Sequence, residues 1–358
     1  MATVVLAGGG TAGHVEPALA VARQWMHSHP HDQLIFLGTT SGLENTLVPA
    51  AHFDLHVIPR VKISRRPSFT WFKIPVDLVA AIRASNKVIK GADVLIGFGG
   101  YVSGPAYLAA NFSRTPIVIH EANAKPGWAN RLGAAFTDYL AVAHPVAAGK
   151  FESALLAGLP LRSDVAIAFN DSQTDWVAAR TAAKVRLGFA PDKPLVFVMG
   201  GSQGSVAINA VIASAIDGLL ASDISVLHSV GKLNVLPSAK AGYKPVAYVE
   251  AMADAYLAAD LIIGRSGAVT CSEFRALGRY ALFVPLPIGN GEQFVNAASL
   301  VADNRAEVIT QKEFTADYLT TNISDLLKRS AASSVHGDGA DLHAAEKIVA
   351  LAEFAMKK

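Results

Sequence analysis

The feature that most constrains this chain is the regular alternation of short apolar runs with helical patterns of hydrophobic residues. Six runs in the first half are predicted strands, and most of them are apolar almost throughout. Parallel strands covered by helices have this character, because neither face of the sheet meets water. The predicted strands are Thr3–Ala7, Leu34–Leu37, Leu55–Ile58, Val94–Ile96, Ile117–His120 and Tyr139–Val142.

Helical patterns separate these strands. They are predicted at Pro17–His27, Trp71–Ile89 and Gly104–Ala110. A shorter helix near 43–48 is predicted to begin with a capping box that runs from Ser41 to Glu44.

The second half repeats the same alternation. Its predicted strands are Leu195–Met199, Val226–Ser229, Ala247–Val249, Leu261–Ile263, Ala281–Val284 and Glu307–Ile309. Its predicted helices are Asp175–Leu187, Val206–Leu220, Ala268–Leu277, Gln293–Asp303 and Asp317–Arg329. A joint is expected at 158–163, a loop at 330–339 and a last helix at 340–356. The predicted fold class is α/β, with two Rossmann-like parallel-sheet domains, 1–160 and 161–339, facing each other across a cleft.

Length and composition agree with two folded domains. The chain has 358 residues, of which 51% are hydrophobic and 17% charged, so a mostly disordered protein is excluded. Charge or Gly and Pro interrupt each apolar stretch before the ~20 residues of a membrane span. The N-terminal segment lacks the basic region of a secretory signal. Cys271 is the single cysteine, which excludes an internal disulfide and a cysteine-based zinc site. We therefore expect a soluble protein of a reducing compartment.

Positive charge is concentrated in one stretch. From Arg60 to Lys90 the net charge is +7, whereas the whole chain carries +2. Aromatic and aliphatic residues interleave with the basic ones, as in segments that bind an anionic membrane surface. Nucleic acid is a second candidate partner for such a stretch. The alternative is a solvated loop followed by an ordinary amphipathic helix with its apolar face in the core.

A glycine-rich loop follows the first predicted strand. Gly8, Gly10 and Gly13 match the spacing of a dinucleotide fingerprint. The second strand, however, ends without the acidic residue that a nicotinamide site needs, so such a cofactor is disfavoured. The loop allows close approach of a phosphate or sugar, or serves only as a turn. His14 follows at the start of a helix, where the dipole favours the neutral imidazole of a general base; a purely structural histidine is the alternative.

Two further polar segments end strands of the first half. Gly97–Pro105 contains four glycines and a serine after a buried strand. His120, Glu121 and Asn123 end the next strand and suit the binding of hydroxyl groups, although each could instead cap the following helix.

The second half has three corresponding segments. Met199–Ser205 is an anion-binding turn of backbone N–H groups and serine hydroxyls without a lysine, so P-loop ATPase chemistry is disfavoured. Arg265–Glu273 opens another helix, and a carboxylate such as Glu273 can accept both hydrogen bonds of a ribose diol or simply favour the helix dipole. Glu292, Gln293 and Asn296 lie at one more helix start. Neither an Asp-x-Asp motif nor a His/carboxylate cluster occurs, so no metal and no cofactor is predicted.

These motifs, in this order, resemble glycosyltransferase family 28, the bacterial peptidoglycan N-acetylglucosaminyltransferases. The resemblance extends from about residue 3 to residue 310. The motifs are specific for this family only in combination, and no single motif is. Three positions depart from the family pattern. Ala12 replaces a common glycine, Ala122 replaces a common glutamine, and Glu292 precedes Gln293 where Gln-Gln or Asp-Gln is familiar.

The resemblance implies the GT-B fold, with the donor mostly in the second domain and the C-terminal helix, 340–358, packed on the first. It implies inverting transfer of N-acetylglucosamine from UDP-GlcNAc to the muramyl 4-hydroxyl of lipid I, which gives lipid II. His14 is the expected general base and Glu121 its rival. Substrate contacts are expected from Thr11, Ala12, Gly13, Tyr101, Asn123, Arg162, Ser202, Val249, Ala268, Val269, Thr270, Cys271, Ser272, Glu273, Glu292 and Gln293.

The implied partners are UDP-GlcNAc, lipid I, anionic inner-leaflet phospholipid and proteins of cell-wall synthesis and division, with no nucleic acid. The implied location is peripheral, on the cytoplasmic face of the cell membrane. The alternatives are another GT-B UDP-sugar enzyme, such as a UDP-GlcNAc 2-epimerase or a transferase with a different acceptor, and a non-catalytic UDP-sugar-binding membrane module.

Overall fold

The computed structural model describes residues 1–60, 74–147, 149–287 and 291–357. The chain divides into two compact units, each with its own parallel sheet. Unit 1 contains residues 1–162 and the C-terminal segment from 341 onward, and unit 2 contains residues 163–340. The division lies two residues from the predicted boundary at 160.

Unit 1 is built on a seven-stranded sheet of order β3-β2-β1-β4-β5-β6-β7, in which every pairing is parallel. Its strands are β1 (Thr3–Gly8), β2 (Gln33–Gly38), β3 (Asp54–Val57), β4 (Val94–Gly99), β5 (Ile117–Glu121), β6 (Leu140–Val142) and β7 (Leu155–Leu156). Its first five helices are α1 (Ala12–Ser28), α2 (Glu44–Ala50), α3 (Ile74–Ile89), α4 (Ser103–Ser113) and α5 (Trp128–Gly133).

Unit 2 has a six-stranded parallel sheet of order β10-β9-β8-β11-β12-β13. The helices α6 (Ser163–Thr174) and α7 (Trp176–Arg186) precede it. Its remaining elements are β8 (Leu195–Met199), α8 (Val206–Ala221), β9 (Ser225–Ser229), β10 (Tyr243–Val246), α9 (Met252–Ala258), β11 (Leu261–Gly264), α10 (Ala268–Ala276), β12 (Ala281–Phe283), α11 (Glu292–Ala302), β13 (Ala306–Val308) and α12 (Ala316–Ala332). The predicted fold class of two parallel-sheet α/β domains is confirmed.

Both faces of the unit 1 sheet are buried. Val4 and Leu6 belong to one apolar cluster, while Val5 and Ala7 belong to another on the opposite face. Successive residues of a strand point to opposite faces, so a strand covered on both sides must be apolar at every position. This requirement explains the continuous apolar runs of the sequence.

The C-terminal helix α13 (Ala344–Met356) belongs to unit 1. Ile348, Val349 and Ala352 join the same buried cluster as residues of α1. Glu353 bonds to His29 at 2.7 Å. The last helix of the chain therefore completes the core of the first unit.

Two predicted elements need correction, and α5, α6, α9 and β7 were not predicted. The strand expected at Ala247–Val249 is wrong, because β10 ends at Val246. Pro245 lies inside β10, where an edge strand tolerates its missing N–H. The loop expected from 330 begins later, because α12 continues to Ala332. The first residues of the predicted helix at 71–89 lie outside the described residues, and α3 is described from Ile74.

Candidate active site

The carboxyl ends of β1 and β4, neighbours in the unit 1 sheet, carry two glycine loops that touch each other. Gly100 has φ +79, a left-handed conformation that favours glycine. A Cβ atom there would lie 2.6 Å from the Gly9 carbonyl oxygen and 3.1 Å from Nδ1 of His14. Glycine is thus needed for the two loops to close around the His14 ring.

The His14 side chain is held by its own loop. Nδ1 lies 3.2 Å from the Gly9 carbonyl oxygen and 3.2 Å from Oγ1 of Thr11. A carbonyl can only accept, so Nδ1 carries the proton and Nε2 presents a lone pair. Burial lowers the pKa of His14, and the nearby carboxylates of Glu121 and Glu44 partly oppose that shift. The geometry and the electrostatics both give the neutral imidazole that a general base requires.

The Glu121 carboxylate serves the loop that follows β5. One oxygen accepts from the backbone N–H of Asn123 at 2.9 Å and from its side-chain amide at 3.1 Å. The other accepts from Gly127 N–H and from the Asn130 amide, each at 2.9 Å. Four donors on a side chain that is 3% exposed stabilise the anion and use its lone pairs. Glu121 therefore orders this loop and is a poor candidate for a base.

Glu44 has a position that the sequence reasoning missed. The predicted capping box with Ser41 is wrong, because α2 begins at Glu44 itself. The carboxylate instead accepts from Gly10 N–H at 2.8 Å and from Thr39 N–H at 2.9 Å. Glu44 thus fastens the first glycine loop to the end of β2.

The predicted acceptor-side residues of unit 1 all lie at the carboxyl edge of its sheet. Thr11, Ala12 and Gly13 form the turn into α1, with Thr11 exposed. Tyr101 follows β4 and donates its hydroxyl to the Pro59 carbonyl at 3.3 Å. Asn123 follows β5. Of this set, Thr11 contacts the His14 ring directly, with its Oγ1 3.2 Å from Nδ1.

Arg162 ends unit 1, and its guanidinium lies 3.8 Å from the Glu16 carboxylate. Both side chains are largely buried. The guanidinium of Arg162, an expected substrate contact, is therefore paired with a carboxylate of α1.

In unit 2 the turn between β8 and α8 contains the segment that the sequence predicts to bind an anion. Ser202 lies in this turn and Ser205 caps α8, where its hydroxyl accepts from Ile208 N–H at 3.4 Å. Gly204 has φ +74, and a Cβ there would overlap the Val230 carbonyl. The backbone of this turn therefore packs against the loop after β9 in a way that only glycine allows.

The Arg265 side chain holds this turn in place through hydrogen bonds. Its guanidinium donates to the carbonyls of Val284 and Pro285 and to the hydroxyl of Ser205, at 2.7, 3.0 and 2.8 Å. A further bond joins it to the side chain of Gln311 at 2.7 Å. Burial lowers the pKa of Arg265. The side chain ties the ends of β8, β11 and β12 together.

The first turn of α10 presents backbone N–H groups at the end of β11. Ala268, Val269 and Thr270 lie in that turn. The Cys271 N–H already bonds to the Gly267 carbonyl at 3.0 Å, and the side chains of Cys271 and Ser272 are fully buried. Burial raises the pKa of the Cys271 thiol to about 12, which makes it unreactive.

The Glu273 carboxylate is buried one turn further along α10. Its Oε2 accepts from the hydroxyl of Tyr256 at 2.8 Å. Tyr256 packs edge-on against Phe274 with ring centroids 5.1 Å apart. These contacts fix the carboxylate in one orientation.

Gln293 and Glu292 begin α11. The Gln293 side-chain oxygen accepts from Leu286 N–H at 2.9 Å, and its backbone carbonyl accepts from Ser266 at 2.8 Å. Gln293 therefore shapes the loop at 285–287, whereas Glu292 lies beside it at the helix start. Val249 is buried in the segment after β10.

The described part of the basic stretch is Arg60, α3 and Lys90. Ala81, Ser85 and Ile89 face inward, while Val76 is 69% and Val79 44% exposed. Trp71 and Phe72, two aromatic residues of the basic stretch, lie outside the described residues. Among the described helices, none is both long and apolar enough to cross a membrane.

Two doubly wound parallel sheets, each with glycine turns and helix starts at its carboxyl edge, define the GT-B class of nucleotide-sugar enzymes. Comparison with known proteins gives the family. Residues 4–142 match the glycosyltransferase family 28 N-terminal domain, and residues 195–350 match the family 28 C-terminal domain. The chain belongs to glycosyltransferase family 28 and is a glycosyltransferase.

Named relatives agree with this assignment. The chain is 43% identical over 333 residues to the UDP-N-acetylglucosamine–N-acetylmuramyl-(pentapeptide) pyrophosphoryl-undecaprenol N-acetylglucosamine transferase of Paenarthrobacter aurescens, covering 91% of this chain and 87% of the relative. The crystal structure of MurG from Acinetobacter baumannii superposes with a TM-score of 0.69 at 27% identity, over 98% of this chain and all of that one. The UDP complex of MnaA from S. aureus has a TM-score of 0.66 at 13% identity, over 100% and 97% of the two chains, and shows the fold alone.

Proposed function

We propose that the protein transfers N-acetylglucosamine from UDP-GlcNAc to the muramyl 4-hydroxyl of undecaprenyl-diphospho-MurNAc-pentapeptide. The products are lipid II and UDP, with inversion at the anomeric carbon. The activity for which the Paenarthrobacter aurescens relative is named supports this donor and this acceptor. The observation that carries the mechanism is the held imidazole of His14, with its Nδ1 bound to the Gly9 carbonyl.

In the proposed reaction, Nε2 of His14 accepts the proton of the acceptor hydroxyl as its oxygen bonds to the anomeric carbon. The bond between that carbon and the UDP oxygen breaks, and the electron pair leaves with UDP. Charge then develops on an oxocarbenium-like sugar and on the leaving diphosphate. Glu121 keeps the neighbouring loop and Asn123 in place, and Asn123 contacts the acceptor or the transferred sugar.

The donor is assigned to unit 2. The Ser202 turn and the start of α10, Ala268–Thr270, supply N–H and hydroxyl groups for the diphosphate. Glu273 accepts from the ribose diol, and backbone near Val249 contacts uracil. Glu292 is the better candidate for the transferred sugar, since the Gln293 oxygen already accepts from Leu286.

Membrane association is assigned to unit 1. Val76 and Val79 are exposed on α3, whose later turns carry Arg83 and Lys87, and Lys90 follows the helix. Apolar side chains beside cations suit an anionic lipid surface. The lipid-linked acceptor places the reaction at a membrane, and we assign the protein peripherally to the cytoplasmic face.

The experiment is release of UDP from UDP-GlcNAc with and without lipid I in detergent. We expect release that depends on lipid I. UDP release without an acceptor would instead support hydrolysis, and conversion of UDP-GlcNAc into another UDP-sugar without UDP release would support epimerisation. Tight UDP binding without turnover would support a binding module.

A further inference from the structure

Glu44 is a buried carboxylate that the catalytic assignment does not use. It is 0% exposed and begins α2. Oε1 accepts from the N–H and the hydroxyl of Thr39 at 2.9 and 3.1 Å, and Oε2 accepts from Gly10 N–H at 2.8 Å. A buried carboxylate carries a desolvation cost that hydrogen bonds to the anion must offset. The position of this charge beside the glycine loop therefore needs an explanation.

Glu44 and His14 bind opposite sides of one peptide group. The Gly10 N–H that donates to Glu44 and the Gly9 carbonyl that accepts from His14 Nδ1 belong to the same peptide bond. In a trans peptide these two groups point in opposite directions. In a Ser-His-Asp triad the carboxylate bonds directly to the imidazole. Here the Gly9–Gly10 peptide stands between the Glu44 carboxylate and the His14 imidazole and connects them by two hydrogen bonds.

The peptide has little freedom to rotate by itself. A Cβ on Gly9 would lie 2.7 Å from the Val102 side chain and 2.9 Å from Glu44 Oε1. Gly10 has φ +91, a left-handed conformation that favours glycine. The orientation of the Gly9–Gly10 peptide is therefore held from its N–H side by Glu44 and from its carbonyl side by His14.

We propose that Glu44 is a positioning residue for the general base, and this proposal rests on the function proposed above. By fixing the Gly9–Gly10 peptide, Glu44 keeps the Gly9 carbonyl directed at Nδ1 and so leaves Nε2 unprotonated for the acceptor hydroxyl. Hydrogen bonds in such a chain polarise one another, which strengthens the Nδ1–H bond.

The charge of Glu44 also acts on the base. Glu44 on α2 and Glu121 on β5 both raise the pKa of His14 against the lowering effect of burial. Two residues along α1, the Glu16 carboxylate is paired with Arg162. Removal of the Glu44 charge should therefore lower the pKa of His14.

The Glu44→Gln variant distinguishes a role in positioning His14 from a role in stabilising the fold alone. An amide has one acceptor oxygen, so it can serve Thr39 or Gly10 but not both. The matched control is Asp32→Asn, because Asp32 also accepts a backbone N–H, from Ala2 at 2.7 Å, and a side-chain N–H, from Trp25 at 3.1 Å. Asp32 lies at the opposite end of α1 from His14.

We expect Glu44→Gln to lower kcat with lipid I about 10- to 100-fold, as expected for a misplaced catalytic group. The KM for UDP-GlcNAc should stay within about twofold, because the donor is assigned to unit 2. The acid limb of the kcat–pH profile should move to lower pH. In a His14→Ala background, Glu44→Gln should add little further loss, since the two residues act as one unit. Asp32→Asn should show none of these effects.

The proposal is overturned if Glu44→Gln behaves like Asp32→Asn, or if its loss multiplies with that of His14→Ala. A normal kcat for His14→Ala would instead refute the assigned base. Nitrogen-15 NMR of labelled histidine in the unaltered protein keeps the proposal testable if Glu44→Gln does not fold. The expected signal has Nδ1 protonated and Nε2 bare, and the opposite tautomer would contradict the proposal.

Discussion

At the residue scale, His14 is the proposed general base and is the first side chain to replace. His14→Ala should lower kcat by about 10²–10⁴-fold, the usual contribution of a general base. Binding of UDP-GlcNAc should change little. The comparison variant is Glu121→Gln, whose effect should come with lower thermal stability, because the Gly127 and Asn130 donors lose a charged acceptor. Near-normal kcat in His14→Ala with a large loss in Glu121→Gln at full stability would transfer the role to Glu121.

The pH dependence of kcat follows from the same side chain. Only neutral His14 can accept a proton, so kcat should fall as pH drops through its pKa. Because burial lowers that pKa, the acid limb should lie below the ordinary histidine value of about 6.5. A kcat–pH profile at saturating substrates measures it. An acid limb well above pH 6.5 would contradict the assignment.

Glu273 gives a residue-scale test of donor binding. Glu273→Ala should weaken UDP binding by about 1.5–3 kcal/mol, roughly 10- to 150-fold, because a ribose diol loses a charged acceptor. Calorimetry with UDP measures this change. Tyr256→Phe is the control, because it removes the hydroxyl that donates to Glu273 while leaving the carboxylate. Unchanged affinity in folded Glu273→Ala would remove the residue from the site.

Single residues also show where sequence reasoning stops. His14 was found because it directly follows a glycine loop after a strand. Glu44 was assigned to a local capping box because Ser41 lies three residues before it, whereas its bond to Gly10 spans 34 positions. Likewise, the four donors around Glu121 emerge only when the loop after β5 folds back. Contacts between distant loops determine these roles, and a pattern of neighbouring residues does not contain them.

At the element scale, helix α3 tests membrane association. Replacing Val76 and Val79 with serine should weaken binding to anionic liposomes by about fivefold per valine, taking roughly 1 kcal/mol for partial burial of each. Thermal stability should hold, because both side chains are exposed. Phe112→Ser on α4, which is also exposed, is the control and should leave liposome binding unchanged. Equal losses in all three positions would argue against a specific role of α3.

Elements were predictable where one physical signal dominated. Continuous apolar runs identified the buried strands β1, β4 and β8, because such strands must be apolar on both faces. The position of β10 was predicted wrongly because this strand lies at the edge of the sheet and contains Pro245. An edge strand needs no long apolar run, and its proline argues against a strand when only the sequence is read. The membership of α13 in unit 1 depends on chain connectivity across the molecule, which periodicity does not encode.

At the scale of the whole molecule, His120 in unit 1 and His228 in unit 2 couple stability to pH. Burial lowers the pKa of His120 in unit 1 and of His228 in unit 2 to about 4. Unfolded histidine binds protons below about pH 6.5, so stability is present above that pH and is lost as pH falls toward 4. Urea unfolding at pH 7 and pH 5 should show this loss. His228→Asn should reduce the pH dependence, and an unchanged dependence in that variant would contradict the role of His228.

The central claim is tested most directly by following the sugar itself. UDP-GlcNAc labelled in the sugar is incubated with lipid I, and the lipid product is isolated and examined by NMR. The proposed function predicts label in the lipid fraction, joined to muramic acid through a β-1,4 bond, with one UDP released per sugar transferred. Label that stays in water-soluble sugar, or that enters the lipid through an α bond, would contradict it.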